Sequence, residues 1–431
     1  MTNPSPAPGT ATPAGLAADG CCDDHRRLSR RGVLRGGTLA AGAGVATSLV
    51  GDVLTASVFG AEPRGSVLVV LSQRGGVDGL SMVVPHGEPA YYRARPGIAI
   101  PRAQLLHRDA MFGLHPALAP LSPWWQRDAM AAVHAVGLPA PNRSHFSAIE
   151  EVEDADPGSD ARVGWLNRLI GALGDQETFE GVAVGTNVVP TALIGPTESL
   201  AIATPQSLGT PFAGGARGDR VRAGLQRMYD GESDVARAGR NALELSRRGM
   251  RYSREAAKAP QRGASYPATP LGTSMRNAAA LIRSGLGVRA IAVDSGSWDH
   301  HLNLRALMQR NLADLAGSLA AFFTDLGPDA QRVTLVTLSE FGRRVAENGA
   351  AGTDHGYGNS VLLMGAGVRG GRYYARWPGL AEGRLVEGDL AVTTDYRSLL
   401  IEILQSRFPS VDTAAVFPGV TLHRLGALTR R

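Results

Sequence analysis

The feature that most constrains this chain is Val67-Leu68-Val69-Val70-Leu71, an apolar run with no polar side chain inside it. A strand with one face in water alternates in polarity, whereas a strand buried on both faces does not. Residues 66–71 are therefore expected deep in a parallel or mixed sheet that is covered on both sides. Similar runs recur at 131–136, 289–293, 333–338 and 360–364, the last strand expected, with shorter ones at 181–184 and 200–203. Leu304, Leu307, Met308, Leu312, Leu315, Leu319 and Phe322 fall at helical spacing, so 301–325 is expected as a long amphipathic helix. Shorter helices are expected at 146–153, 163–173 and 395–405. A highly charged helical insertion is expected at about 216–258, followed by a Pro/Gly/Ser loop over 259–272. Strands alternating with helices imply a layered α/β domain. In such a domain ligands bind beyond the carboxyl ends of the strands.

The first 60 residues read differently. Residues 1–25 are polar and rich in Pro, Ala and Gly, and are expected to be disordered. Ser29-Arg30-Arg31-Gly32-Val33-Leu34 then matches the twin-arginine export pattern. A mild apolar stretch follows from Gly36 to Phe59, with small residues at Gly60-Ala61 for cleavage. Asp52 and many glycines make that stretch a poor membrane span, so no stable span is expected in the mature form. The expected division is thus a leader over 1–60 and one domain over 61–431. The twin-arginine translocase is the expected export partner, and the destination is periplasmic or extracellular. Cys21 and Cys22 both precede the cleavage point, so the mature chain would hold no disulfide, thiolate ligand or cysteine nucleophile.

The basic residues are almost all arginine, Lys258 being the one lysine, and the net charge is only +5. Without a basic run interleaved with aromatics after the leader, no nucleic-acid partner is expected.

Acids and imidazoles gather after the expected strands. Asp78 sits in Gly75-Gly76-Val77-Asp78-Gly79, as a metal ligand or as a turn carboxylate binding backbone N–H groups. Asp294, Asp299, His300 and His301 crowd the turn before the long helix, a set suited to Zn²⁺, Mg²⁺, Mn²⁺ or Ca²⁺, or else a capped helix start. Ser339-Glu340-Phe341-Gly342-Arg343 offers Glu340 as a ligand and Arg343 as an anion clamp, or an ordinary N-cap with an ion pair. Asp354 and His355 lie between glycines in a tight loop that is either a ligand loop or plain surface. Asn142-Arg143-Ser144-His145-Phe146 begins a helix, with Ser144 as a nucleophile beside a metal or as a simple cap.

Arg74–Leu80, Ser144–Phe146, Trp298–His301, Ser339–Arg343, Gly352–Gly356 and Thr394–Arg397 together resemble the DUF1501 family, related to the alkaline phosphatase and sulfatase clan. The resemblance runs from about Arg64 to the C-terminus. It implies a three-layer alkaline-phosphatase-like fold with a central, mostly parallel sheet and helices on both faces. By the same resemblance Asp78, Asp294, Asp299 and His355 stand at metal positions, and Ser144 is the nearest match to the nucleophile. Asn303 stands where the clan has a histidine, and Ser339-Glu340 where it has Asp-His. A formylglycine mechanism is excluded, since the mature chain would lack cysteine.

The expected function is an exported metal-dependent hydrolase of phosphate or sulfate esters or a related anionic substrate, small molecule or glycan. Ser144 and Arg343 would be catalytic, and Asp78, Asp294, Asp299, His301, Glu340, Asp354 and His355 the ligands of a divalent ion. The alternative is a non-catalytic exported binding protein that keeps the fold.

Overall fold

The computed structural model describes residues 65–156, 162–174, 179–208 and 216–429. The chain divides into two units, Met1–Thr55 and Ala56–Arg431, and the described residues all fall in the second. The export motif, the cleavage site and Cys21-Cys22 lie outside the described residues. Among the described residues, no helix is long and apolar enough to cross a membrane.

The long apolar run becomes β1 (Val67–Gln73), at the centre of the main sheet. The other strands are β2 (Val83–Val84), β3 (Gly113–Leu114), β4 (Met130–Gly137), β5 (Gly181–Val184), β6 (Leu200–Ile202), β7 (Ala290–Ser295), β8 (Val333–Leu338), β9 (Asn359–Gly365), β10 (Arg372–Tyr374) and β11 (Thr394–Asp395). β2 and β3 form a separate antiparallel pair. The main sheet runs β10-β4-β9-β8-β1-β7-β5-β6, with β11 beside the end of β4. All its neighbours are parallel except the two ladders of β9.

Because side chains alternate across a strand, β1 feeds both faces. Val67, Val69 and Leu71 join one core cluster, Leu68 and Val70 the other. The first face is covered by α4 (Asp234–Ala256), α5 (Pro270–Arg283) and α6 (Leu304–Leu326); the second by α1 (His145–Asp154), α2 (Trp165–Leu173) and α7 (Tyr396–Arg407). The remaining long helix is α3 (Ala216–Met228). The molecule is thus an α/β three-layer domain with a mixed, mostly parallel sheet.

Several elements differ from the sequence reading: β2, β3, β10 and β11 have no expected counterpart, and the last two follow the strand at 360–364 that was expected to be last, being too short to show as apolar runs. The charged segment is two helices, α3 and α4, and the second buries Tyr252 against α5. The expected loop ends at Pro270, where α5 begins. Thr269 caps that helix by accepting from the Gly272 N–H at 3.0 Å, and Pro270 suits a first turn.

Candidate metal centre

The parallel strands end at one edge of the sheet, and β9, running the other way, begins there. Five segments therefore meet. The β1 loop turns on Gly75 (φ +118°) and Gly76 (φ +64°). A Cβ on Gly75 would stand 2.6 Å from the backbone nitrogen of Asp299, so only glycine lets the two loops touch. The segment after β7 carries Asp299 and His301, anchored by buried Trp298, whose indole N–H donates to Ser295 Oγ at 3.1 Å. Beyond β8 come Ser339, Glu340 and Arg343. The loop before β9 holds Asp354 and His355, fastened to its neighbour by Gly342 N–H to Tyr357 O and Gly356 N–H to Gly342 O, both 2.9 Å. His145 is the first residue of α1.

Four side chains converge. His301 Nε2 is 2.9 Å and His355 Nε2 3.3 Å from Asp299 Oδ1, while His145 Nε2 is 3.6 Å from Asp299 Oδ2. The Nε2 atoms of His301 and His355 are 3.0 Å apart. The opposite nitrogen of each ring has an acceptor: Glu340 Oε1 at 2.8 Å for His145, Asp354 Oδ1 at 3.2 Å for His301, and the Arg143 carbonyl at 2.9 Å for His355. An ionised carboxylate or a carbonyl can only accept, so each Nδ1 carries the proton. Each ring then turns Nε2 to the centre, where Arg343 Nη1 lies 3.4 Å from that of His301. Two imidazole lone pairs 3.0 Å apart repel, and a cation beside them, a metal ion or the Arg343 guanidinium, relieves the repulsion. His145 Nε2 is moreover buried without a hydrogen-bond partner among the described residues.

This donor set fits a metal ion. Metal–nitrogen bonds of about 2.0–2.1 Å in tetrahedral geometry place donor atoms about 3.3 Å apart; Asp299 lies 2.9 to 3.6 Å from the three imidazoles, and the donor atoms of His145, Asp299 and His355 all lie within 4.8 Å of one another. A ligand imidazole whose other nitrogen donates to a carboxylate or carbonyl is the usual outer arrangement of such centres. The charges agree. Asp299, 3.6 Å away, and the hydrogen-bonded Glu340 together push the His145 imidazole up to about 9, so a proton supplies the cation when nothing else does. Burial opposes the charge on Asp299, but the contacts from His145, His355 and Arg343 outweigh it and hold the carboxyl well below the usual range. Glu340 is 3% exposed, whereas the Asp299 side chain is 46% exposed. The centre is walled on one side and open on the other, as a site that admits substrate must be.

The structure distributes the expected residues unevenly. Asp299, His301 and His355 meet at the centre. Glu340 and Asp354 stand one layer out, orienting His145 and His301. Asp78 is elsewhere: it is 1% exposed and held by both terminal nitrogens of Arg95 and by Ser81 Oγ. Sealed from solvent and neutralised by Arg95, it does not fit the ligand role expected of it. Asp294 accepts from Arg74 Nε at 3.1 Å, beside Glu153, away from the four converging groups. Arg343 is 1% exposed and spends its five donors inside the chain, on Gly75 O, Gly76 O, Thr353 O, Asp299 and His301 Nε2. It fixes Asp299 and the glycine loop; the anion clamp expected of it has no free N–H to work with. Ser144 lies exposed at the N-cap of α1, its hydroxyl making no capping bond. His145 was passed over in favour of Ser144 in the same five-residue cluster. The signal for it was present, since a residue just inside a helix following a strand end sits at the site edge.

A family model described as "Protein of unknown function (DUF1501)" matches residues 119–416. No curated protein matches the sequence. Among solved structures, the chain is similar to the PsFucS1 sulfatase from Pseudoalteromonas sp., at 11% identity and a TM-score of 0.36, over 86% of this chain and 74% of that one. With more than half of its length matched by that one family model, the chain belongs to the DUF1501 family.

Proposed function

We propose that this protein is a metal-dependent hydrolase of anionic esters, phosphate or sulfate, exported folded by the twin-arginine translocase. The observation that carries the reading is the convergence of His145, His301, His355 and Asp299, each imidazole aimed by its own acceptor. Three imidazoles and one carboxylate suit Zn²⁺ or Mn²⁺ better than the oxygen-seeking Mg²⁺ and Ca²⁺. When bound, such an ion supplies Lewis acidity and lowers the pKa of water.

The chain's own residues do the rest. Glu340, Asp354 and the Arg143 carbonyl keep the three rings in the tautomer that leaves Nε2 free. Arg343 holds Asp299 from within. The first turn of α1 leaves backbone N–H groups unpaired, as every helix start does, and these suit an ester's anionic oxygens. Ser144, exposed at that same helix start, is the candidate nucleophile. Phe146 and Leu302 follow two of the ligands and are 68% and 60% exposed, giving the mouth apolar ground for the organic part of the substrate. The engagement of Arg343 favours a second reading, a metal-bearing binding protein without turnover, since no guanidinium at the centre is free to offset substrate charge.

Metal analysis and turnover assays on the purified full chain test this. The expected result is close to one transition-metal ion per chain, lost in Asp299→Ala, with hydrolysis of an aryl phosphate, phosphodiester or aryl sulfate that falls by about 10²-fold or more in the same variant. Metal without turnover of any of the three esters favours the binding protein. Absence of both removes the hydrolase reading.

A further inference from the structure

A second cleft opens at the start of α6, on a stretch that the metal centre does not use. Its volume is about 360 Å³, and it is lined by Ile100, Gln104, His115, Asn303, Arg305 and Gln309, with Pro116 and Ala306. That size accommodates one ring-sized molecule. The walls are apolar at Ile100, Pro116 and Ala306, and no acidic residue lines it.

Its polar groups share one character. His115 is 1% exposed. Its Nδ1 accepts from the Ala117 N–H at 3.1 Å, so the ring proton sits on Nε2. That N–H finds no protein acceptor among the described residues, on a ring that lines the cleft. Arg305 is exposed and has no carboxylate partner among the described residues. Asn303 takes a left-handed backbone (φ 48°) and its side chain does not cap the helix. Leu304 N–H is spent on Ala351 O at 2.8 Å, while the N–H groups of Arg305 and Ala306 have no partner among the described residues. A 23-residue helix thus begins with open donors and its positive dipole end beside a free guanidinium and an orphaned imidazole N–H. All that is missing is an acceptor.

We propose that this cleft binds a ring-sized organic monoanion, a carboxylate in the first instance. One guanidinium and a helix start balance one negative charge, and the planar fork of Arg305 matches the two oxygens of a carboxylate. The orphaned His115 N–H supplies a third donor from the floor, and the apolar walls take the ring. Asn303 lies two residues after His301, so the cleft and the metal centre share one segment of chain.

Calorimetric titration with benzoate, against neutral benzamide as the isostere, tests this on the full chain. The expected result is saturable benzoate binding, weaker by about tenfold or more for benzamide and for benzoate with Arg305→Gln. Arg305 is exposed on the helix surface, so that variant folds, and a thermal melt checks it. The ¹⁵N resonance of His115 Nε2 should shift with benzoate in the unmodified protein, which spares a substitution at a buried ring. Equal binding of benzoate and benzamide overturns the proposal, as does undiminished binding in Arg305→Gln or no saturation in the millimolar range. Binding that survives Arg305→Gln but vanishes in His145→Ala assigns the anion to the metal centre instead.

Discussion

Asp78 and Asp299 show how one residue type takes opposite fates at one sheet edge. Both follow strands, and both face arginine. Asp78 is sealed with Arg95, each essentially unexposed, and Arg95 further donates to Val345 O and Arg344 O at 2.8 Å. Asp299 shares only one oxygen with Arg343 and keeps an open side. Removing one partner of a buried pair strands the other charge. Asp78→Ala is therefore expected to cost about 3–5 kcal/mol in urea unfolding, while the folded fraction keeps its metal. Loss of metal with unchanged stability would restore Asp78 as a ligand. The residue scale was legible for Asp299, His301 and His355, whose types and spacing announce metal chemistry. It was not legible for Asp78, because nothing in the local sequence states that Arg95 will turn back to claim it.

At the scale of elements, hydrophobic period located the strands well. The strands 181–184 and 333–338 match their expected bounds, and the other expected strands differ by one or two residues at one or both ends. The two- and three-residue strands β2, β3, β10 and β11 escape that period, as does α5, whose first residues fall inside a stretch rich in Pro, Gly and Ser; its apolar positions Leu271, Met275, Ala278, Ala279 and Ile282 are at helical spacing but mostly small. The antiparallel direction of β9 was also not visible, since an apolar run has no polarity of its own. Yet that direction puts Asp354 and His355 at the same edge as Asp299. The glycine loop after β1 is the tightest joint there. Gly75→Ala is expected to destabilise by about 1–3 kcal/mol and to weaken metal binding, because a positive φ and a contact with Asp299 must both give way. Gly296→Ala, with nothing within 4 Å of the added carbon, is the matched control and should be near neutral. Similar unfolding midpoints and metal content for the two variants would show that the loops do not depend on that contact.

Across the whole molecule, burial of imidazoles sets how acid acts on the fold. His134 donates from Nε2 to Val83 O at 2.9 Å and accepts at Nδ1 from the Ala135 N–H at 3.0 Å, so it has no room for a second proton. Burial lowers it to about 4, and lowers His115 likewise to about 4. Between their ordinary value of 6.5 and about 4, the unfolded chain takes up protons that the folded chain refuses. Stability is therefore greatest above that window, falls as pH drops through it, and falls no further on their account below about 4. The loss for the pair is on the order of several kcal/mol. Urea midpoints at neutral and acidic pH check this, repeated in Asp299→Ala so that release of metal is not counted. A flat profile in that variant would contradict it.

The sequence by itself determined the layered α/β architecture, the buried parallel strands and the edge at which chemistry collects. These follow from period and polarity, which are local properties. Only the tertiary structure decided which acids face the candidate centre, which orient its imidazoles and which are neutralised by arginine. It also decided that His145 enters the centre while Ser144 stays at its rim. Those assignments depend on contacts between residues up to 268 positions apart, such as Arg343 Nη2 to Gly75 O. A carboxylate's role is set by whichever charge the fold brings against it.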